Sequence, residues 1–302
     1  MNSRERFRET MVCDVKYAII TNPVSGKMTV DQKRLKLAKA AGILNAEIHG
    51  LDAININDFI QCGQELARRC DVLVVAGGDG TLSDIINSID TAKTPIAYLP
   101  LGTGNAMQSA LRYKGSLADI AMRIKNGQIH EYDLVSCSAK RRAYIASVGI
   151  EGQIIQLRDQ YLPQGITGFK AYFKALLKSY FREYKPTAAK IVIDKVVFEV
   201  KNLLSLMVVK QPYYGFGMKV VPRACFDDGH LHILCITSGF FKFIFGVATS
   251  FTIGNRVGHY LTGQHVTVSS ERFMVLLIDG NEGWEANAFT FKVLPNALKI
   301  KC

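Results

Sequence analysis

The stretch Asp71-Val72-Leu73-Val74-Val75-Ala76-Gly77-Gly78-Asp79-Gly80-Thr81-Leu82 constrains this chain more than any other. Its apolar, β-branched first half has the character of a buried strand. Ser83 to Ile89 then follows helical spacing, with Ile85, Ile86 and Ile89 inward. A parallel strand that ends in a glycine turn before a helix places the turn at the carboxyl edge of a sheet, where α/β folds bind ligands. Glycines let the backbone approach a phosphate closely, and a helix N-terminus attracts anions. An acid inside such a turn is costly unless a metal or a proton transfer uses it. Asp79 is therefore the most informative residue. A plain strand-turn-helix corner has no need of an acid between its glycines.

Two other strands are read as ending in the same way. Val15 to Thr21 leads into Asn22-Pro23-Val24-Ser25-Gly26-Lys27, a loop of turn residues closed by a lysine, although Gly-x-x-x-x-Gly-Lys-Ser is absent. Pro95 to Leu101 leads into Gly102-Thr103-Gly104-Asn105 and a helix, Ala106 to Leu111; Gln108 stands where a dinucleotide fingerprint has its third glycine. Between them the spacing predicts a helix over Asp31–Ala41 stopped by Gly42, a strand over Ala46–Leu51, and a helix capped by Asp58 that runs to about Arg69. A helix over Leu117–Lys125 and a strand around Tyr132–Ser136 close this half. In a parallel sheet the three turns lie on one edge and converge on one crevice. That convergence is a stronger signal than any single loop.

The texture then changes. Ala143 to Gly149 reads as an apolar strand, and Phe169 to Arg182 as a basic amphipathic helix. In that helix Phe169, Tyr172, Phe173, Leu176, Leu177, Tyr180 and Phe181 share a face flanked by Lys170, Lys174, Lys178 and Arg182. Packing of the aromatic face on a sheet, with a solvated basic edge, is the first reading; a membrane-surface helix is the second. From Lys190 onward short β-type runs follow: Ile191–Ile193, Val196–Lys201, Leu204–Val209, Leu231–Ile236, Gln264–Ser269, Arg272–Ile278 and Phe289–Val293. They predict an antiparallel sandwich. At 302 residues two domains are expected: an α/β unit over 14–136 joined by a C-terminal return over 289–302, and a β-sandwich over 137–288.

A formal charge of +11 suits nucleic acid, an anionic membrane surface or a phosphorylated ligand, and does not choose among them. Seven cysteines without a Cys-x-x-Cys pair point to neither a disulfide framework nor zinc, which fits a reducing cytoplasm. Met1 to Met11 has no apolar signal core, and the greasiest run, Gly239–Gly254, contains Lys242 and is short for a bilayer span. These features read as a soluble protein with a surface able to touch a membrane. The histidines have no metal-type spacing, and no nucleophile-elbow motif supports a Ser/His/Asp triad.

Asn22–Lys27, Gly77-Gly78-Asp79-Gly80-Thr81-Leu82 and Gly102-Thr103-Gly104-Asn105 together resemble the nucleotide motifs of the diacylglycerol kinase catalytic-domain family, which takes in bacterial lipid kinases and sphingosine and ceramide kinases. Tyr213–Met218 and Pro222–Leu231 resemble the substrate-domain signature of its bacterial members, and Asp279-Gly280 and Leu294–Leu298 its closing strands. The likeness runs from about Lys16 to Ile300. It implies a cleft between an α/β nucleotide domain and a β-sandwich, and transfer of the γ-phosphate of ATP, with Mg²⁺, to a hydroxyl of a membrane lipid. The partners it implies are a lipid at the inner face of the membrane, met peripherally, and no nucleic acid; a homodimer is left open. Asn22, Pro23, Ser25, Gly26, Lys27, Gly77, Gly78, Asp79, Gly80, Thr81, Leu82, Gly102, Thr103, Gly104 and Asn105 are expected around the nucleotide. Asp228 is expected to hold a structural Mg²⁺ with the backbone carbonyls of Cys225 and His230.

The chain departs from the family at four places. Ala106 stands where Asp is usual, His232 where Asp is common, and Glu151 near a position where Asp is frequent. Asp279-Gly280 is followed by Asn281 and then Glu282, where relatives have Glu directly. Either Asn281 has replaced the general base, or one residue is inserted and a bulge re-aims Glu282. The turn formers Asn281 and Gly283 favour the bulge, so Glu282 is the expected base, with Asp279 and Asp79 as the other catalytic carboxylates. A kinase of a soluble substrate such as NAD, and a non-catalytic nucleotide or lipid sensor suggested by Ala106, are the competing readings.

Overall fold

The structure, a computed structural model, describes residues 15–237 and 239–302. Cys13 and the polar N-terminal segment lie outside the described residues. Within them the six cysteines Cys62, Cys70, Cys137, Cys225, Cys235 and Cys302 are free thiols, and no helix is long and apolar enough to cross a membrane.

The first half alternates strand and helix: β1 (Tyr17–Thr21), α1 (Val30–Leu44), β2 (Ile48–His49), α2 (Ile56–Ala67), β3 (Val72–Gly77), α3 (Asp79–Ser88), β4 (Ile96–Pro100), α4 (Ala106–Ala110) and α5 (Leu117–Asn126). The strands pair in parallel in the order β4-β3-β1-β2. Every residue of β1, β3 and β4 is buried. That accounts for their continuous apolar runs, since helices cover both faces of a parallel sheet.

Three local expectations differ from what is found. α1 passes through Gly42 and ends at Asn45, whose left-handed backbone (φ 48°) turns its N–H onto the Ala41 and Gly42 carbonyls; Thr29 and Gln32 form the capping box at its start. The cap of α2 is Asn55, whose side chain accepts from the Asn57 and Asp58 amides, and Asp58 stands inside the first turn. The strand expected over Ala46–Leu51 is reduced to the two residues of β2.

The second half contains β5 (Ile129–Cys137), β6 (Arg141–Ala143), β7 (Ile145–Gly149), α6 (Ile150–Tyr161), α7 (Phe169–Lys178), β8 (Thr187–Ile193), β9 (Val196–Val209), β10 (Leu231–Thr237), α8 (Phe240–Ser250), β11 (His259–Gly263), β12 (His265–Ile278) and β13 (Asn281–Lys301). Its strands pair antiparallel around a second core that includes Val148, Leu206, Ile233, Val268 and Phe289. The 13 strands of the described residues belong to one hydrogen-bonded sheet, because β13 pairs antiparallel with β12 and β5 and then, at Ile300, in parallel with β4. The runs expected as separate strands over 196–201 and 204–209 are one strand, β9, and those over 264–269 and 272–278 are one, β12.

α7 packs differently from its sequence pattern. Its buried residues are Ala171 and Ala175, and Ser179 is buried in the wider π-helical turn, Ser179–Glu183, that ends the helix. Small residues allow α7 to lie close on α6. The aromatic face is consequently left for the cavity described below, with Phe169 and Phe173 each 47% exposed.

The pairing Thr21↔Ala76 and Gly77↔Pro100 ends β1, β3 and β4 level with one another, so the three turns do share one edge. Those after β3 and β4 touch backbone to backbone: a Cβ on Gly102 would lie 2.5 Å from Gly78 Cα. Gly102→Ala should therefore lower the unfolding free energy by about 1–3 kcal/mol, read from the urea midpoint. Gly42→Ala, inside α1 with nothing within 4 Å of the added methyl, should instead raise it by up to about 1 kcal/mol.

Candidate active site

Asp79 is the first residue of α3, and its carboxylate crosses to the next loop. Oδ2 accepts the Ala106 amide at 2.8 Å, and Oδ1 accepts the Met107 amide at 3.2 Å and the Tyr144 hydroxyl at 3.2 Å. The acid thus satisfies the first N–H groups of α4, a role that Asn105, itself left-handed at φ 45°, does not take. Burial pushes the Asp79 carboxyl above its ordinary value, against the pull of those three donors. Asn105 locks its own loop instead: Nδ2 donates to the Gly102 carbonyl at 2.8 Å, and Oδ1 accepts the Tyr98 hydroxyl, which also donates to the Gly77 carbonyl.

The loop after β1 is held by a residue that the pattern did not single out. Lys33 of α1 is buried and donates to the Asn22 and Pro23 carbonyls at 2.7 and 2.8 Å, while Asn22 Oδ1 and its carbonyl accept from Val24 and Ser25. Gly26 and Lys27 are exposed. α3 starts from Gly78 with no side-chain cap, which leaves the N–H groups of its first turn without a side-chain partner.

A cavity of about 340 Å³ opens beside these turns. Gly78, Asp79, Gly80, Thr103 and Gly104 line one end, and Ile154, Tyr172, Leu176, Met207, Phe216 and Phe243 are among the apolar walls of the other. Of the residues expected around a nucleotide, those five reach this cavity; Asn22–Lys27, Gly77, Gly102 and Asn105 are not among its lining residues. Thr81 and Leu82 are buried, with Thr81 packed on Gly77 and Leu82 in the core, so neither lines the chamber.

Asp279 also lines the cavity, yet its oxygens are taken. Oδ1 accepts the Tyr144 and Ile145 amides at 3.0 and 2.9 Å, and Oδ2 accepts the Ser83 hydroxyl at 2.8 Å. Burial raises its carboxyl to about 7, with the Asp79 charge adding to the rise. Asp279 and Gly280, at φ 49° and 86°, make a two-residue hairpin turn that pairs Ile278 with Asn281. The slot after Asp-Gly therefore belongs to Asn281, whose amide covers Gly80; a Cβ there would meet Nδ2 at 2.7 Å.

The expected re-aiming of Glu282 does not occur. β12 and β13 lose register between Val275↔Glu285 and Leu277↔Glu282, so two residues of β13, Gly283 and Trp284, oppose Leu276 alone. The extra residue is absorbed at Gly283–Trp284, on the far side of Glu282. Glu282 is exposed, accepts from Gln156 Nε2 at 3.0 Å, and is not among the residues lining the cavity.

Of the three residues expected at a structural Mg²⁺, Asp228 and His230 meet around an ammonium, and Cys225 is not among its partners. Lys210 is fully buried, and its Nζ lies 2.7 Å from Asp228 Oδ1, 2.6 Å from the His230 carbonyl and 3.0 Å from Asp133 Oδ2. Against the burial that would raise it, the Lys210 and His230 donors hold the Asp228 carboxyl below its ordinary value. The Cys225 amide donates to His232 Nε2 at 3.0 Å. Oxygens aimed at Lys210 do not fit a divalent ion in this arrangement. An acid inside the apolar run Tyr132–Val135 and a lysine directly after Leu203–Val209 were the sequence signals for this pair.

Lys210→Met would leave a buried carboxylate unpaired and should cost about 3–5 kcal/mol in urea unfolding. With nucleotide absent, EDTA should leave Tm unchanged. A Mg²⁺-dependent rise in Tm that Asp228→Ala abolishes would restore the metal site.

A family model for the diacylglycerol kinase catalytic domain matches residues 16–137, and one for the YegS C-terminal NAD kinase beta sandwich-like domain matches residues 145–302. A diacylglycerol kinase of Staphylococcus saprophyticus is 26% identical over 279 residues, covering 88% of each chain. One of Staphylococcus carnosus is 26% identical over 281 residues, covering 89% of this chain and 90% of its own. The crystal structure of a diacylglycerol kinase from Bacillus anthracis superposes with a TM-score of 0.74 at 19% identity, covering 95% of this chain and 96% of the other. An NAD kinase from Archaeoglobus fulgidus, solved with ATP, gives 0.51 at 14% identity over 95% and 93%. Those two likenesses are of fold. With both halves matched and the glycine turns gathered on one sheet edge, the chain belongs to the diacylglycerol kinase catalytic-domain family.

Proposed function

We infer that the chain is an ATP-dependent lipid kinase that transfers the γ-phosphate of ATP to a hydroxyl of a membrane lipid. One observation carries this reading: the glycine turns and a long apolar wall line the same chamber. The curated relatives are called diacylglycerol kinases, and a diacylglycerol has the required shape, a primary hydroxyl on two long chains. A soluble acceptor rich in hydroxyls would find few partners among Ile154, Leu176, Met207 and Phe243.

Phosphoryl transfer needs positioning and charge neutralisation more than covalent help. The uncapped first turn of α3, with Gly78 and Gly80 lacking side chains, offers backbone donors to phosphate oxygens. Asp79 Oδ2 accepts a single hydrogen bond, which makes it the candidate oxygen toward the Mg²⁺ of the nucleotide. That ion would neutralise charge on the β- and γ-phosphates. Tyr144 bridges Asp79 and Asp279 and so fixes the floor of the site against the β12–β13 hairpin. Ala106 contributes its amide to Asp79, so its lack of a carboxylate does not undo the loop.

Residues of α7 and α8 wall the chamber. Phe241 and Phe245 of α8 and Phe181 just past α7 are 87%, 58% and 62% exposed, and Lys170, Lys174, Arg182 and Lys242 of the same two segments are exposed as well. Aromatics that can enter a lipid surface, ringed by cations that attract anionic headgroups, favour peripheral docking at the inner face of a membrane.

Asp79→Asn should reduce lipid phosphorylation about a hundredfold, because the loop it clamps loses its position. It should also cost about 1–3 kcal/mol of stability, since one carboxylate oxygen that accepts a backbone amide becomes a donor. Radiolabelled ATP with a total lipid extract reads the first effect and urea unfolding the second; parental turnover would defeat the assignment. Binding to phosphatidylglycerol vesicles should weaken steeply with salt, and Phe241→Ser with Phe245→Ser should weaken it further in a sedimentation assay. Equal sedimentation with neutral vesicles at low salt would remove the docking surface.

A further inference from the structure

Three carboxyl groups line the cavity: Asp79, Asp279 and Glu151. Both oxygens of the two aspartates already accept protein hydrogen bonds. Glu151 differs. One oxygen accepts the Ser205 hydroxyl, and the other, Oε2, is buried with no protein partner. Glu282, the base expected from the sequence, is turned to Gln156, and Asn281 has no basic oxygen to replace it.

The backbone delivers Glu151 to this place. β7 ends at Gly149, which pairs with Ser205 of β9. At φ 129°, and with a Cβ that would lie 2.4 Å from the Leu204 carbonyl, that position requires glycine. The sharp turn starts α6 directly over β9 and puts Glu151 in its first turn, where the helix N-terminus favours a negative charge. The titratable groups that face Glu151 are phenols, Tyr184 and Tyr214, and Arg158 further along α6 is engaged by Asp159 and Tyr172. No cation among the described residues pairs with it. An unpaired, buried carboxyl with a free oxygen in a cavity is poor structure and good acid–base chemistry.

We propose that Glu151 is the general base that accepts the proton of the acceptor lipid's hydroxyl. This rests on the lipid-kinase reading. The hydroxyl donates its hydrogen bond to Oε2. As its oxygen forms a bond to the γ-phosphorus, its proton passes to Oε2. The bond from the γ-phosphorus to the β–γ bridging oxygen breaks, and its electron pair leaves with ADP. Glu151 returns the proton to water once product departs. Burial raises this carboxyl to about 7, against the Ser205 hydrogen bond that favours its ionised form. A base is most effective near the working pH.

The test compares the full chain with its Glu151→Gln and Ser205→Ala variants, using radiolabelled ATP and phosphatidylglycerol vesicles that carry diacylglycerol or a total lipid extract. The parent's kcat should rise with pH through about 7. Ser205→Ala should move that rise to higher pH. Glu151→Gln should lose at least about a hundredfold in kcat, flatten the profile and leave the KM for ATP unchanged. Folding supplies an independent readout. The folded carboxyl titrates above its unfolded value of about 4.5, so its contribution to stability is fully present below that pH and is lost as pH rises through about 7. Glu151→Gln should therefore raise Tm at pH 8. Parental kcat in Glu151→Gln, or a loss of activity that tracks a lower Tm, overturns Glu151 as base and leaves the lipid-kinase reading standing. A parent that phosphorylates nothing in the extract overturns both.

Discussion

The carboxylate of Asp79 clamps two turns of the sheet edge together. It begins α3, yet its oxygens end on the amides that begin α4, so the turn after β3 and the turn after β4 move as one body. Gly78 and Gly102 touch beneath the clamp, and a side chain at either would separate the loops it joins. Tyr144 extends the link to the second half of the chain: its hydroxyl reaches Asp79 and its amide reaches Asp279 in the β12–β13 turn. The glycine loops and the hairpin are thereby built on one polar knot in an apolar surround. Such a knot holds only while every member is satisfied.

Buried charge is handled in two ways in this fold. At the end of β9, Lys210 is neutralised by Asp133 and Asp228, and Lys33 is solvated by the carbonyls of Asn22 and Pro23. Those cations hold chain segments in place, Lys210 with all three of its N–H groups and Lys33 with two. Each oxygen of Asp79 and Asp279 also accepts a protein hydrogen bond, and burial raises the proton affinity of both. Glu151 alone among the cavity acids keeps an open oxygen. The contrast separates carboxylates fixed by the frame of the chamber from one that keeps an oxygen without a protein partner.

The chamber also depends on what α7 does with its small residues. Ala171 and Ala175 take the contact with α6, so Phe169, Tyr172, Phe173 and Leu176 become wall and rim instead of core. Phe169 sets its ring edge-on to Phe216 and Phe251, which ties α7 to the loop after β9 and to the end of α8. One apolar surface then runs from the glycine turns to the exposed aromatics of α8. Continuity of that kind suits a substrate whose chains remain in a bilayer while its hydroxyl reaches the phosphates.

Period and turn chemistry were enough to determine the α/β half from sequence. Fully buried strands read as unbroken apolar runs, and Gly77–Gly80 and Gly102–Gly104 mark the sheet edge because only glycine tolerates such close backbone contact. The short β-type runs after Lys190 pointed to the sandwich, and motif resemblance added the family. Helix limits were less legible: Gly42 reads as a stop, but its lack of a side chain costs less than the contacts α1 makes as it continues to Asn45. The side chains' partners were decided by the tertiary structure alone. Whether Glu282 enters the cleft depends on which side of it a single extra residue is absorbed, and strand register fixed that at Gly283–Trp284. Whether Asp228 meets a metal or an ammonium depends on Lys210, 18 positions earlier in the chain. Those choices rest on contacts between segments far apart in sequence, and local pattern carries no information about a group that arrives from elsewhere in the fold.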